Sequence, residues 1–238
     1  MNYTAQQIAE ITNSELIGDK NRRVQKIAFD SRIIYSTENT AFLAITTPKS
    51  SGIKYISEAR EKGIDVIISE KYLPEYRDLT WIIVKDSQVF LQQLASYHLR
   101  QFKNLKTIGI TGSNGKTVVK EWLYQSLWGR QKTVKSPKSF NSQIGLPLSI
   151  LQLGSEDRLG LFEVGISKPG EMESLEAILS PEIGILTHIG SAHLYHFNGE
   201  SQLIDEKLKL FKHSRTIIFS GDNLEVYRKM NSEYADRE

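Results

Sequence analysis

The chain reads as an α/β protein. A small N-terminal α/β domain covers about residues 1–102, and a parallel-sheet domain built on a phosphate-binding loop covers about 103–238. Three observations predict this. Apolar, strand-like runs alternate with segments of helical spacing, the pattern of βαβ units. The alternation pauses at the joint Gln101–Leu105 and restarts at Lys106. The run Thr107–Ile110 then enters the glycine-rich turn Thr111-Gly112-Ser113-Asn114-Gly115-Lys116-Thr117, and a helix-forming segment follows at once.

The elements follow in order. Thr4-Ala5-Gln6-Gln7 has the form of a capping box and opens a helix through about Ile11. Val24–Phe29 and Thr40–Ile45 read as strands, Tyr55–Lys62 as a helix closed by Gly63, and Asp65–Ser69 and Trp81–Val84 as strands. Ser87 is expected to cap a helix of about four turns that sets Val89, Leu91, Leu94, Ala95 and His98 near one face. Beyond the joint, strands are expected at Thr107–Ile110, Leu159–Val164, Ile183–Leu186 and Thr216–Phe219. Helices are expected at Thr117–Trp128, Gly170–Leu179 and Ser201–Phe211, with a last one starting at Leu224–Met230 before a polar tail. A domain of this kind usually carries more strands, so the chain is expected to be a fragment of a longer protein.

Composition narrows the function. Apolar content of 39% and charged content of 24% are those of a soluble globular protein. A net charge of +2 gives no basic field to attract nucleic acid or an anionic membrane. With no cysteine there is neither disulfide nor thiolate chemistry. Met1-Asn2-Tyr3-Thr4 lacks the basic and apolar regions of a signal peptide, and no apolar run approaches the ~20 residues of a membrane span. The cytoplasm is the expected location.

The loop carries the chemistry. Its glycines let backbone N–H groups turn toward phosphate oxygens, and the helix behind it adds the positive end of its dipole. Lys116 is expected to reach the terminal phosphates of a nucleoside triphosphate and the Thr117 hydroxyl to ligate Mg²⁺. The general pattern G-x-x-x-x-G-K-[ST] places a glycine at position 110, which is Ile110 here. The glycines stand at 109, 112 and 115, so the loop is a short variant.

Further polar groups recur at strand ends. Glu163 closes an apolar strand, where ligands of open α/β sheets bind, and suits an oxygen-seeking cation as well as it suits an exposed strand end. Three of five histidines, His188, His193 and His196, fall within nine residues. Their spacing fits no zincin helix, and without cysteine no structural zinc site completes itself. Asn141, in Phe140–Pro147, resembles any turn asparagine, and Lys207 any solvated helical lysine.

Taken together these segments resemble the Mur ligase family of peptidoglycan synthesis, over nearly the whole chain. Thr111–Thr117 is similar to that family's short ATP loop. Val118-Val119-Lys120-Glu121 resembles the continuation in its D-alanyl-D-alanine-adding, or MurF, type. Phe140–Pro147 is similar to its F-N-x-x-I-G-x-P segment, Glu163-Val164-Gly165 with Pro169-Gly170-Glu171-Met172 to its E-x-G and P-G-E-[MI] segments, and Ile189–Leu194 to its I-G-x-A-H-L segment. Phe29-Asp30-Ser31-Arg32 looks like the D-S-R motif of its UDP-binding domain. The sequence departs from the pattern at His188, where asparagine is usual, at Ile53-Lys54, and at Lys209-Leu210.

The resemblance implies a cofactor set of ATP and Mg²⁺, with Gly112, Ser113, Asn114, Gly115, Lys116, Thr117 and Asn141 around the nucleotide. It implies Thr117, Glu163, His193 and a carbamylated Lys207 as metal ligands, with Lys116, His193 and Lys207 in catalytic roles. Ser31 and Arg32 would bind the UDP end of the substrate. The implied reaction joins D-alanyl-D-alanine to UDP-N-acetylmuramoyl-tripeptide through an acyl phosphate, in a monomer whose C-terminal ligase domain lies outside this chain. The alternatives are a diaminopimelate- or lysine-adding relative, a folylpolyglutamate synthetase (which the D-S-R segment argues against), a P-loop kinase or GTPase, and a non-catalytic nucleotide-binding module.

Overall fold

The computed structural model describes residues 1–34, 36–47, 50–190 and 194–237. The chain divides into two compact units, Met1–His98 and Leu99–Glu238.

The first unit runs β1 (Tyr3–Thr4), α1 (Ala5–Thr12), β2 (Glu15–Ile17), β3 (Arg23–Val24), β4 (Lys26–Ala28), β5 (Thr40–Leu43), β6 (Thr46–Thr47), β7 (Ser50–Ser51), α2 (Ile56–Glu61), β8 (Val66–Ser69), β9 (Thr80–Ile83) and α3 (Ser87–Arg100). Its main sheet has the order β2-β9-β8-β5-β4. β4, β5, β8 and β9 run parallel and β2 pairs antiparallel to β9. The capping box at Thr4 and Gln7 forms as expected. The short β2 carries too few apolar residues to announce itself, and β3 and β4 divide what reads as one strand. The core gathers Phe42, Ile56, Ala59, Ile64, Ile67 and Trp81, whose indole N–H donates to Tyr76 O at 3.0 Å.

The expected cap of α3, and one residue of its expected buried face, are corrected. The Asp86 carboxylate, not Ser87, accepts from the Gln88 and Val89 amides, both at 2.8 Å. Asp86 therefore caps the helix, and the Ser87 hydroxyl accepts from Thr46 N at 3.3 Å instead. Leu91, Leu94, Ala95 and His98 are buried as expected, but Phe90, 3% exposed, takes the place expected for Val89, which is 46% exposed.

The second unit runs β10 (Lys106–Thr111), α4 (Lys116–Ser126), β11 (Thr133–Lys135), α5 (Gly145–Ile150), β12 (Leu159–Glu163), α6 (Glu171–Leu179), β13 (Ile183–Leu186), α7 (Glu200–Leu208), β14 (Thr216–Phe219) and α8 (Leu224–Glu233). All five strands are parallel, in the order β11-β12-β10-β13-β14. The sequence does not announce β11, three partly buried residues at the sheet edge. Among the described residues α4, α6 and α8 lie where periodicity places them; α7 is shorter than the expected span, its last turn tightening to 3₁₀ over Lys209–Phe211. Ile108, Ile110, Leu161 and Ile185 form the core beneath α4, which adds Val119 and Leu123.

Topology positions the site. β10 leads through α4 to β11 on one side, while β12 and β13 flank β10 directly. The switch in winding direction leaves a crevice at the carboxyl ends of these strands, the place where open α/β sheets bind ligands. Register brings Ile110 opposite Glu163 and Thr111 opposite Leu186. The loop after β10, the carboxylate ending β12 and Thr187 after β13 therefore share one rim.

Candidate phosphate and metal site

The loop Gly112–Gly115 joins β10 to α4. Gly112 and Gly115 hold φ values of +144° and +86°, which side-chain-bearing residues rarely adopt. A Cβ on Gly112 would lie 2.0 Å from Thr187 Oγ1, so that position admits nothing larger. Ile110 is completely buried in the strand, in core contact beneath the loop. The missing glycine of the general pattern thus falls on a core position.

Thr187 and His188 fasten the loop from the β13 side. Thr187 N donates to Thr111 O at 2.8 Å, and the Thr187 hydroxyl bridges Thr111 O at 3.0 Å and Asn114 O at 2.7 Å. Ser113 N donates to His188 O at 2.8 Å and the Ser113 hydroxyl to Gly190 O at 3.1 Å. Thr187 was not a sequence candidate; its only signal was its place at the end of an apolar strand.

Lys116 opens α4 and turns back over the loop, donating to Gly112 O at 2.7 Å and Ser113 O at 3.4 Å. Lys207 arrives from α7, is 2% exposed, and donates to the same Gly112 O at 3.1 Å. Burial, and then the Lys116 charge beside it, bring the Lys207 ammonium from 10.5 down to about 7. Burial also lowers Lys116, against the pull of Glu163. Tertiary packing thus converts what reads as a solvated lysine into a buried, partly neutral amine beside the phosphate loop.

Glu163 is completely buried. Its Oε2 accepts from the Thr117 hydroxyl at 3.1 Å. Its Oε1 faces the Lys120 ammonium at 2.8 Å in an ion pair, yet no donor is aligned with it for a hydrogen bond. With Oε1 in that ion pair, Oε2 meets only the neutral Thr117 hydroxyl, and Oε2 with that hydroxyl is an all-oxygen set that fits a hard divalent cation. Among the described residues no group of three or more histidines, cysteines or acids gathers into a metal cluster, and His193 lies outside the described residues.

Other candidates take different places. Asn141 O accepts from Gly165 N at 2.7 Å, and its side chain packs where a Cβ on Gly165 would lie 2.9 Å from Asn141 Cγ. That joins the 140–147 segment to the end of β12. His188 serves the loop through its backbone oxygen, and His196 packs on Tyr195 with ring centroids 4.1 Å apart. In the first unit Ser31 is 1% exposed and its hydroxyl donates to Glu58 at 2.8 Å. Arg32 is exposed and forked onto the Asp30 carboxylate at 2.9 and 2.8 Å. Of these two, only Arg32 presents its polar end to solvent.

Residues 110–236 match the model of the Mur ligase middle domain. The chain belongs to the Mur ligase family. Relatives agree with that membership. The chain is 34% identical to a UDP-N-acetylmuramoyl-tripeptide–D-alanyl-D-alanine ligase of Treponema pallidum, over 78% of this chain and 42% of that protein. Among solved structures it superposes on a MurF of Acinetobacter baumannii with TM-score 0.89 and 25% identity, covering 100% of this chain and 52% of the other. A MurF ligase of Thermotoga maritima in complex with ADP superposes with TM-score 0.73 and 29% identity, covering 86% of this chain and 47% of the other. The chain thus spans about half the length of the Mur ligases it matches. Among the described residues no helix is long and apolar enough to cross a membrane.

Proposed function

We propose that this chain carries the nucleotide- and UDP-substrate-binding parts of a cytoplasmic MurF-type ligase, which joins D-alanyl-D-alanine to UDP-N-acetylmuramoyl-tripeptide at the expense of ATP. One observation supports the assignment above the others: Lys116 and Lys207 converge on Gly112 O beside the Thr117–Glu163 pair. A lysine ammonium, a buried lysine amine and an oxygen set for a metal at one phosphate loop suit a reaction between two anions. A substrate carboxylate must approach the γ-phosphate of ATP to form an acyl phosphate, and the dipeptide amine then displaces phosphate. Residues 1–102 would hold the UDP end through Arg32, with Ser31 shaping the turn through Glu58, and residues 103–238 would hold ATP.

Each residue then has a role. The amide N–H groups of the loop, at the N-terminus of α4, donate to the phosphate oxygens, and Asn141 borders the nucleotide. Lys116 swings from Gly112 O to the phosphoryl oxygens and offsets the repulsion between the anions. Thr117 and Glu163 would hold a Mg²⁺, which would supply charge neutralisation at the transferring phosphoryl group. Lys207, with an amine near 7, has a neutral fraction able to attack CO₂ at neutral pH. The N–C bond forms, one proton leaves, and an anionic carbamate results, which with His193 would hold a second cation.

Calorimetry with Mg·ADP and with UDP-N-acetylmuramoyl-tripeptide tests the binding half. Both are expected to bind, and Lys116→Ala is expected to weaken ADP at least about tenfold, the loss of roughly one charge-assisted contact. Absence of ADP binding by the wild-type chain sinks the proposal. In the full-length protein, phosphate release dependent on D-alanyl-D-alanine, and not on diaminopimelate or lysine, separates this reading from its relatives. Phosphate transfer to water or a hydroxyl would favour a kinase or GTPase.

A further inference from the structure

Lys120 is a buried lysine that the nucleotide chemistry above does not use. It lies one turn beyond Lys116 on α4 and is completely buried. Its ammonium donates to Ser136 O at 2.8 Å and Lys138 O at 2.5 Å, and forms an ion pair with Glu163 Oε1 at 2.8 Å. The Glu121 carboxylate stands at 3.3 Å and pairs with Lys135. Lys138 sits in the left-handed region at φ +48°, an unfavourable place for a side-chain-bearing residue, and its carbonyl is held there by Lys120. The Ser136 hydroxyl in turn accepts from Glu163 N at 3.1 Å. Glu163 is therefore fixed twice from the 136–138 strand end, through its backbone and through the Lys120 ammonium.

The consequence lies in how the carboxylate is divided. Oε2 faces the Thr117 hydroxyl and Oε1 faces an ammonium. A carboxylate with one oxygen held by a buried cation offers the other oxygen alone to a metal. Mg²⁺ requires near-octahedral geometry with single-oxygen ligands, whereas Ca²⁺ readily takes both oxygens of a carboxylate at longer distances. We propose that Lys120 is a positioning residue that confines Glu163 to one metal-facing oxygen, and so sets a preference of this site for Mg²⁺ over Ca²⁺. The proposal rests on the reading that Thr117 and Glu163 hold the nucleotide's cation.

The test measures ADP affinity of the chain by calorimetry in EDTA, Mg²⁺ and Ca²⁺. In the wild type, Mg²⁺ is expected to tighten ADP about tenfold more than Ca²⁺ does. In Lys120→Met, which keeps the length of the side chain and removes its charge, that ratio is expected to fall to about one. A general loss of structure would weaken both complexes and leave the ratio alone. Lys120→Gln serves the same end if the methionine variant does not fold. A wild-type ratio retained by either variant overturns the proposal, as does equal tightening of the wild type by the two cations. Wild-type binding of ADP with no effect of either cation, or no ADP binding at all, defeats the underlying metal-site reading as well.

Discussion

The side-chain nitrogens of Lys116 and Lys207 meet at one acceptor, the carbonyl oxygen of Gly112, at 2.7 and 3.1 Å. The two side chains are brought this close by α4 and α7, elements far apart in sequence. Like charge and burial make full protonation of both unfavourable, and the more buried Lys207 gives way.

This relationship sets a pH dependence. The unfolded chain, with its lysine near 10.5, binds one more proton than the folded chain between pH 7 and 10.5. Stability therefore rises with pH across that window, and the cost of burying the ammonium is felt in full below pH 7. Lys207→Met removes the dependence. Urea denaturation from pH 7 to 9.5 is expected to show the wild type gaining about 3 kcal/mol relative to this variant. Parallel curves for the two would show that Lys207 keeps an ordinary affinity for protons.

Lys116→Ala removes the like charge beside Lys207 and returns part of its basicity. The same transition is expected to move to higher pH in that variant. In the full-length protein Lys116→Ala is expected to abolish ligation, and wild-type turnover would count against the loop assignment.

Lys207→Ala in the full-length protein is expected to lose activity that short-chain carboxylic acids partly restore and that bicarbonate does not. An acid can place its carboxylate where the carbamate would stand. Full activity without rescue agents would argue against the carbamate.

Gly112→Ala places a methyl group 2.0 Å from Thr187 Oγ1 at a backbone φ of +144°. The clash and the strained backbone together are expected to cost about 3 kcal/mol. Adding Thr187→Ala should recover the steric part and leave the backbone part, a split that a double-mutant cycle by denaturation reads directly. No recovery would mean that the loop, not Thr187, adjusts.

Asp86→Ala is expected to cost about 1 kcal/mol through loss of the α3 cap, and Ser87→Ala less. Thermal melting of both variants checks the order.

Much of the fold was legible because local chemistry agrees with the tertiary outcome. The capping box at Thr4, the apolar strands β8, β10, β12 and β13, and the helix after the loop each announce themselves by spacing. The cap of α3 did not, because Asp86 and Ser87 are both competent caps and adjacent in the chain. β2 and β11 escaped because three-residue edge strands carry little apolar signal.

The sequence by itself determined the α/β alternation, the phosphate loop and the position of Glu163 at a strand end, because each depends on residues adjacent in the chain. Only the tertiary structure decided what surrounds them. It seated Lys207 at 2% exposure on Gly112 O, buried Lys120 against Glu163, and turned the Ser31 hydroxyl onto Glu58. Burial and charge proximity arise between elements distant in sequence, and those two quantities, rather than residue type, set how an ionisable group behaves.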